Sequence, residues 1–258
     1  MDSIRRRLVA TAAAFVPIGA FWPMPVLSAG WPEKTLTLIV PFSAGGPADG
    51  LARFIAAELG QRLGQTVIVE NVPGAGASIG MSRVARAEPD GYTLGYATTA
   101  SHVTAPFLYS KLPYDPVKDF TPISLAAAHV NVLVTGSASR IESVPQLIAF
   151  AKKNPDKLTF GSAGIGSTNH LSVELLMKMT GTRMRHVPYK GSGPALIDVV
   201  AGTIDFMFDV PLTCMPLVNA GRLRKATGPT LEAKDARTGG AGGTGNTLGS
   251  AQAIASRL

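Results

Sequence analysis

From Thr35 onward, short apolar runs alternate with stretches whose apolar residues recur at helical spacing, the pattern of an α/β chain. Leu36 to Val40 predicts a first strand. The loop Pro41 to Asp49 follows, and then a helix to about Leu63 carrying Leu51, Phe54, Ile55, Leu59 and Leu63 on one stripe. Val67 to Val69 predicts a second strand, Ile79 to Ala87 a second helix closed by the turn Glu88-Pro89-Asp90-Gly91, and Tyr92 to Ala97 a third strand. A proline-punctuated connection from Lys111 to Phe120, then strands at Ile123 to Ala126 and Asn131 to Val134, mark the passage into a second lobe. There the pattern repeats: helix Val144 to Lys153, strand Leu158 to Phe160, helix His170 to Met179, a short strand at Val187, helix Pro194 to Ala201 and strand Asp205 to Phe208.

The two ends differ from this body. Arg5, Arg6 and Arg7 precede an apolar run from Leu8 to Trp22 and a segment ending in Ser28, Ala29 and Gly30, which is the secretory signal-peptide pattern. The run contains Pro17 and is shorter than the ~20 residues of a spanning helix. Residues 1–29 are therefore expected to be a leader for the periplasm, by either the general secretory or the twin-arginine route. Residues 30–122 are expected to form lobe 1 and residues 123–224 lobe 2. Residues 225–258, glycine-rich from Thr238 to Ser250, are expected to be a flexible tail.

The 258-residue length allows about two domains, and 46% apolar residues against 16% charged ones supply a packed core. The formal charge of +7 does not point to nucleic acid. Part of it sits in the leader and part in the tail (Lys225, Lys234, Arg237 and Arg257 against Glu232 and Asp235), and no basic-aromatic stripe runs through the rest. A lone Cys214 excludes an intramolecular disulfide framework, and His102, His129, His170 and His186 show no metal-ligand spacing, so neither metal nor cofactor is expected.

Two loops share one physical design. Each leaves a strand, supplies glycines that allow close backbone approach, and opens into a helix whose N-terminus carries unsatisfied donors and positive partial charge. Gly45 and Gly46, next to Phe42 and Asp49, form the first; Gly161 to Ser167, with Ser162, Gly164 and Ser167, forms the second, ahead of Thr168 and the helix at His170. Together they read as a cradle for a carboxylate or phosphate held between two lobes. Asp49 reads mainly as the N-cap of a helix beginning at Gly50. Thr98 and Ser101 at the end of the third strand, and Asp209 at the end of the last, are placed to line the crevice. No Lys or Arg lies in either cradle, so backbone dipoles and hydroxyls have to carry an anion's charge.

Two enzyme-like strings compete with this reading. Gly76-Ala77-Ser78-Ile79-Gly80 matches the G-x-S-x-G nucleophile elbow, so the rival function is a secreted serine hydrolase using Ser78. An elbow follows its strand directly, however, whereas Asn71 to Ala77 intervenes here and includes Pro73. Gly74, Gly76 and Gly80 are spaced one residue too far for a dinucleotide fingerprint.

The ordered motifs resemble the Bug family, the substrate-binding proteins of tripartite tricarboxylate transporters. The matching strings are Val40-Pro41-Phe42 with Gly45, Gly46 and Asp49; Val69-Glu70-Asn71 with Pro73 to Gly76; Pro89 to Leu94; Lys111 to Pro116; Gly161-Ser162 through Gly166-Ser167; and His186 to Gly191. The resemblance covers Trp31 to about Arg224. It implies a two-lobed type II periplasmic-binding-protein fold (Venus flytrap) closing on a small organic carboxylate, partly through water, at the loops of Gly45 and Gly46 and of Gly164 and Ser167. It also implies no catalysis, no cofactor, a monomer, and delivery of the ligand to a membrane permease. The family pattern stops near Arg224, where the expected return to lobe 1 gives way to Thr227-Gly228-Pro229 and the glycine-rich tail, so the fold is expected to be C-terminally incomplete.

Overall fold

The computed structural model describes residues 30–227; the signal-peptide expectation, and nearly all of the tail, fall outside them. Three parallel strands, β1 (Leu36–Val40), β2 (Val67–Asn71) and β3 (Thr93–Gly95), form the first sheet in the order β2-β1-β3. The hairpin-free connections are helical, as parallel pairing requires. α1 (Pro47–Leu63) starts on a proline, where a missing N–H costs nothing, and stops at left-handed Gly64. It buries Ala52 and Ala56 against Leu38 and Val40. α2 (Ser78–Ala85) covers the other face, bringing Met81 and Val84 so close to Gly95 that a Cβ there would lie 2.7 Å from the Met81 methyl.

After β3 the chain enters a π-helical turn, Ala100–Thr104, continuous with α3 (Ala105–Leu108). The strand read at Ile123 to Ala126 does not form. Residues from Phe120 to Asn131 have no regular structure, and among the described residues no strand pairs with them.

The second sheet has the order β6-β5-β7-β4-β8, built from β4 (Val132–Gly136), β5 (Thr159–Ser162), β6 (Arg185–Pro188), β7 (Phe206–Asp209) and β8 (Leu223–Lys225). β5 runs parallel to β6 and β7, while β4 is antiparallel to β7 and β8. Its helices are α4 (Val144–Lys153), α5 (Thr168–Thr180), α6 (Ser192–Ala201) and α7 (Pro211–Asn219). Alternation along β7 divides the core. Phe206 and Phe208 join Leu147, Phe160, Val173 and Leu176 on the α4 and α5 face, whereas Met207 joins Leu196, Val199 and Cys214 on the α6 and α7 face. The sheet runs one residue past the boundary read at 224, and the Val144 N–H donates to the Thr227 carbonyl.

Candidate functional site

The ends of β1 and β2 meet the ends of β5 and β6 across the gap between the sheets, and a cavity of about 220 Å³ lies between them. Its first-lobe wall is Pro41, Phe42, the segment Gly74 to Ala77, and Tyr109; its second-lobe wall is Ala163 to Ile165 and Pro188 to Lys190. Among these residues, Phe42, Gly74, Ala75, Gly76, Ile165 and Lys190 have backbone N–H groups without a hydrogen-bond partner among the described residues. A larger trough of about 690 Å³ lies between β1, β3 and α2. It belongs to the first lobe alone, and we take the inter-lobe cavity, walled from both lobes, as the site.

Backbone contacts hold the two walls together. The Ser43 N–H and hydroxyl both donate to the Lys190 carbonyl, at 2.9 and 3.1 Å, and Thr104 Oγ1 donates to the Gly166 carbonyl at 3.0 Å. Glycines make this approach possible. A Cβ on Gly76 would sit 2.7 Å from the Ile165 oxygen and 2.5 Å from the Tyr109 hydroxyl, and one on Gly193 would sit 3.2 Å from the Ala44 oxygen. The chain is thus in a closed arrangement, with main chain against main chain.

The first loop is set by Asp49, but not as a cap. α1 begins two residues earlier than Asp49, with Gly46 in the capping position, so the carboxylate lies in the first helical turn and reaches back to accept the Gly45 N–H at 3.0 Å. Arg53, one turn on, donates to its Oδ2 at 3.1 Å and sits 2.9 Å from Oδ1. Arg53 also reaches Asn71 Oδ1, and Asn71 Nδ2 donates to the Phe42 carbonyl at 3.0 Å, which fixes the loop from both ends. Burial alone would raise the Asp49 carboxyl, but hydrogen bonds from Arg53, the Gly45 N–H and Asn71, with the charge of Arg53, outweigh it and hold the group below the usual carboxylate range. This removes the difficulty of an acidic residue near a bound anion, since its charge is already spent on Arg53.

In the second loop the hydroxyls are turned inward. Ser167 caps α5, accepting the His170 N–H, and donates its own proton to the Gly164 carbonyl at 2.6 Å. Fully buried Ser162 bonds His186 Nε2 at 2.6 Å and the Gly164 N–H at 3.1 Å. His170 accepts the Gly166 N–H, faces Glu174 at 3.4 Å and stacks on His186 with ring centroids 4.1 Å apart. Burial, then the neighbouring His170, push the His186 imidazole down to about 4.

Of the residues singled out by sequence, Phe42 and Gly164 line the cavity. Gly45 and Gly46 lie in the loop that rests on Ser192 and Gly193, and Thr168 opens α5. Ser162, Ser167 and His170, read from sequence as ligand contacts, are not among the lining residues, and their hydrogen bonds brace the wall from behind. Thr98 and Ser101 also stand apart from the lining: Ser101 is fully buried and satisfied by the Thr98 N–H and His102 Nδ1. Asp209 is fully buried as well, with Oδ2 accepting from Thr213 and Oδ1 unpartnered. The wall that the sequence reading missed is Gly74 to Ala77 with Tyr109, Ile165, Tyr189 and Lys190. Its signal was present in the glycine string weighed as an elbow. Ser78 itself donates to the Ala75 carbonyl at 2.8 Å, so its hydroxyl closes a local turn.

Residues 51–241 match the model of the tripartite tricarboxylate transporter family receptor. The chain belongs to this receptor family. A Pseudomonas sp. (strain P51) relative, a UPF0065 protein in the tcbD-tcbE intergenic region, is 40% identical over 75% of the chain and 57% of its own length. BugT of Bordetella pertussis is 33% identical over 84% of the chain and 67% of its own length. The chain spans 57% and 51% of the first two curated relatives it matches. Among solved structures, R. palustris Rpa4515 with adipate superposes at a TM-score of 0.74 with 34% identity, covering 88% of this chain and 83% of that one. MatC from Rhodopseudomonas palustris with bound malate superposes at 0.72 with 31% identity, covering 88% and 85%. Periplasmic binding protein BugD does so at 0.70 with 36% identity, covering 76% and 66%. The two-lobed α/β binding-protein fold expected from sequence is therefore the fold of this chain.

Proposed function

We propose that this chain is a periplasmic solute receptor that closes its lobes on a small dicarboxylate and hands it to a tripartite-type membrane permease. The observation that carries the reading is the inter-lobe cavity of about 220 Å³ whose two walls each offer unpaired backbone N–H groups, among them Ala75 and Gly76 from one lobe and Ile165 from the other. Unsatisfied N–H donors converging from two sides suit a ligand with acceptor oxygens at both ends. The volume is below the ~300–1,000 Å³ of typical drug-sized pockets, which favours a ligand of a few carbons. Adipate and malate in similar receptors are of this class. Phe42 and Gly164 contact the ligand, while Gly45, Gly46, Ser167 and Thr168 hold the loops in place. Lobe 1 (residues 30–122) and lobe 2 (123–224) are the bodies that close.

Calorimetric titration with malate, adipate, a monocarboxylate and a tricarboxylate tests this. A dicarboxylate should saturate one site, and Ile165→Pro, which deletes a donor without changing charge, should weaken it by about 10-fold or more, as expected for a hydrogen bond to a charged group worth ~1.5–3 kcal/mol. Failure of every acid to saturate, or unchanged affinity in folded Ile165→Pro, overturns it.

A further inference from the structure

The far end of the second lobe carries a charge that ligand capture does not use. Residues 30–227 contain eighteen Lys and Arg against fourteen Asp and Glu, and the whole excess of four falls between Lys152 and Arg185. That stretch holds Lys152, Lys153, Lys157, Lys178, Arg183 and Arg185 against Asp156 and Glu174, while elsewhere in the described residues the two signs balance. The fold gathers the six at one place. α4 and α5 pack on the same face of the sheet, with Lys152, Lys153 and Lys178 in their last turns. The Asp156 N–H donates to the Arg183 carbonyl at 3.0 Å and the Arg185 N–H to the Leu158 carbonyl at 2.8 Å, so the residues leaving α4 run beside those entering β6. All six residues are exposed. Among the described residues only Arg183 has an acidic partner, Asp156 at 2.7 Å, and Glu174 is turned to His170. Lysines in a last turn offset the helix dipole, but that does not call for Lys157 and Arg185 beside them.

We infer that this end of lobe 2 is a docking surface for a lipid bilayer bearing anionic headgroups. Cations crowded together without acids repel one another, and a facing layer of phosphates relieves that repulsion. Apolar side chains favour lipid over an acidic protein. Phe150 and Met179, in the last turns of α4 and α5, are both exposed among these cations. Phe150 is three residues before Lys153 and so shares its side of α4. Basic groups that meet headgroups, with apolar ones that enter the boundary beneath, are the design of an interfacial surface. Its position suits retention at the membrane. β5 and β6 run in parallel from this end, at Thr159 and Arg185, toward the cavity wall at Ala163 and Pro188. The lobe therefore stands on the bilayer with the cavity at its other end, clear of the lipid.

Cosedimentation of the whole chain with vesicles of mixed phosphatidylglycerol and phosphatidylcholine, against phosphatidylcholine alone, tests the inference. The expected result is binding to the anionic vesicles only, weakened as salt is raised. Lys152→Ala, Lys153→Ala and Lys157→Ala combined should weaken it by about tenfold or more. Lys178→Gln with Arg185→Gln, on different elements, should weaken it by about threefold or more, and decides the matter if the first variant misfolds. Arg62→Ala, Arg86→Ala and Lys111→Ala combined remove the same charge from lobe 1 and should leave binding within about twofold. Absence of binding, equal losses in the two triple variants, or binding indifferent to the lobe 2 variants and so arising elsewhere in the chain, would each overturn it. Binding to polyglutamate that the lobe 2 variants abolish, without binding to anionic vesicles, would overturn the lipid in favour of an acidic protein.

Discussion

Asp209 and Asp49 show how two carboxyls of one molecule acquire opposite behaviour. Asp209 has no exposed surface, and burial pushes its carboxyl up against weaker opposing hydrogen bonds from Thr213, the Val210 N–H and Ser192. Between the unfolded value and the raised one, the folded form holds a proton that the unfolded chain has released, and stability falls as pH rises through that window. Asp209→Asn keeps an acceptor for Thr213 and removes the charging penalty. It should raise the thermal midpoint at pH 7, by about 2–4 °C for each 1 kcal/mol relieved, and flatten the pH slope in scanning calorimetry. Asp49 runs the other way: its lowered value makes its contribution complete above the unfolded value and lost as pH falls through the folded one. Asp49→Asn should flatten the acid limb of stability and weaken ligand binding together, because the Gly45 N–H loses its charged acceptor. Ser167→Ala illustrates a third case. Its hydroxyl caps α5 and holds Gly164, so the substitution should cost about 1 kcal/mol of stability in denaturant unfolding. Its effect on affinity should be the smaller one.

At the scale of elements, the lobes meet through glycines, and the geometry ranks them. Gly193 faces the Ala44 oxygen and the Gly45 carbonyl with only 3.2 Å to spare for a Cβ, whereas a Cβ on Gly50, on the open side of α1, meets nothing within 4 Å. Gly193→Val should prop the lobes apart, seen as a larger radius of gyration in small-angle scattering and a loss of carboxylate affinity. Gly50→Ala should leave both unchanged and stabilise α1 by about 0.5–1 kcal/mol. Most of these elements were legible in the residues. The helix Val144–Lys153 and the strand Leu36–Val40 came out residue for residue, because each has a sharp apolar period and clear flanks. Ile123 to Ala126 has the period of a strand too, but a strand also needs a neighbour, and pattern cannot say whether one is present. The site was half legible. Glycine loops announce close backbone approach, yet which hydroxyls face inward depends on partners remote in sequence, as with Ser162 and His186. Ser101 and Asp209 looked like crevice residues for the same reason and are fully buried within their own lobe, while half-buried Thr98 bonds Ser101 beside it.

For the molecule as a whole, the two lobes are unequal. Among the described residues, the first sheet has a small core, with Leu38, Val40, Ala52 and Ala56 on the α1 face and Ile39 and Met81 among the few large buried side chains elsewhere in the lobe, and it leaves Phe54, Ile68 and Ile79 more than half exposed. The second sheet is packed on both faces, with Phe160, Phe206 and Leu147 on one side and Val134, Met207 and Val199 on the other, all without exposed surface. Buried apolar area contributes about 25 cal/mol per Å², so the lobe with the thinner core has the smaller margin. Unfolding should therefore occur in two steps, with amides of β1 and β3 exchanging well before those of β5 and β7. A carboxylate held by Ala75, Gly76 and Ile165 together binds only when both walls are folded, and it stabilises the weaker lobe by RT ln(1 + [L]/Kd), about 2.7 kcal/mol at a hundredfold excess over Kd. Saturating dicarboxylate should thus bring the two transitions together by moving the first upward. Hydrogen exchange with and without ligand reads this directly, and equal shifts in both lobes, or none in the first, would show that the ligand does not bridge them.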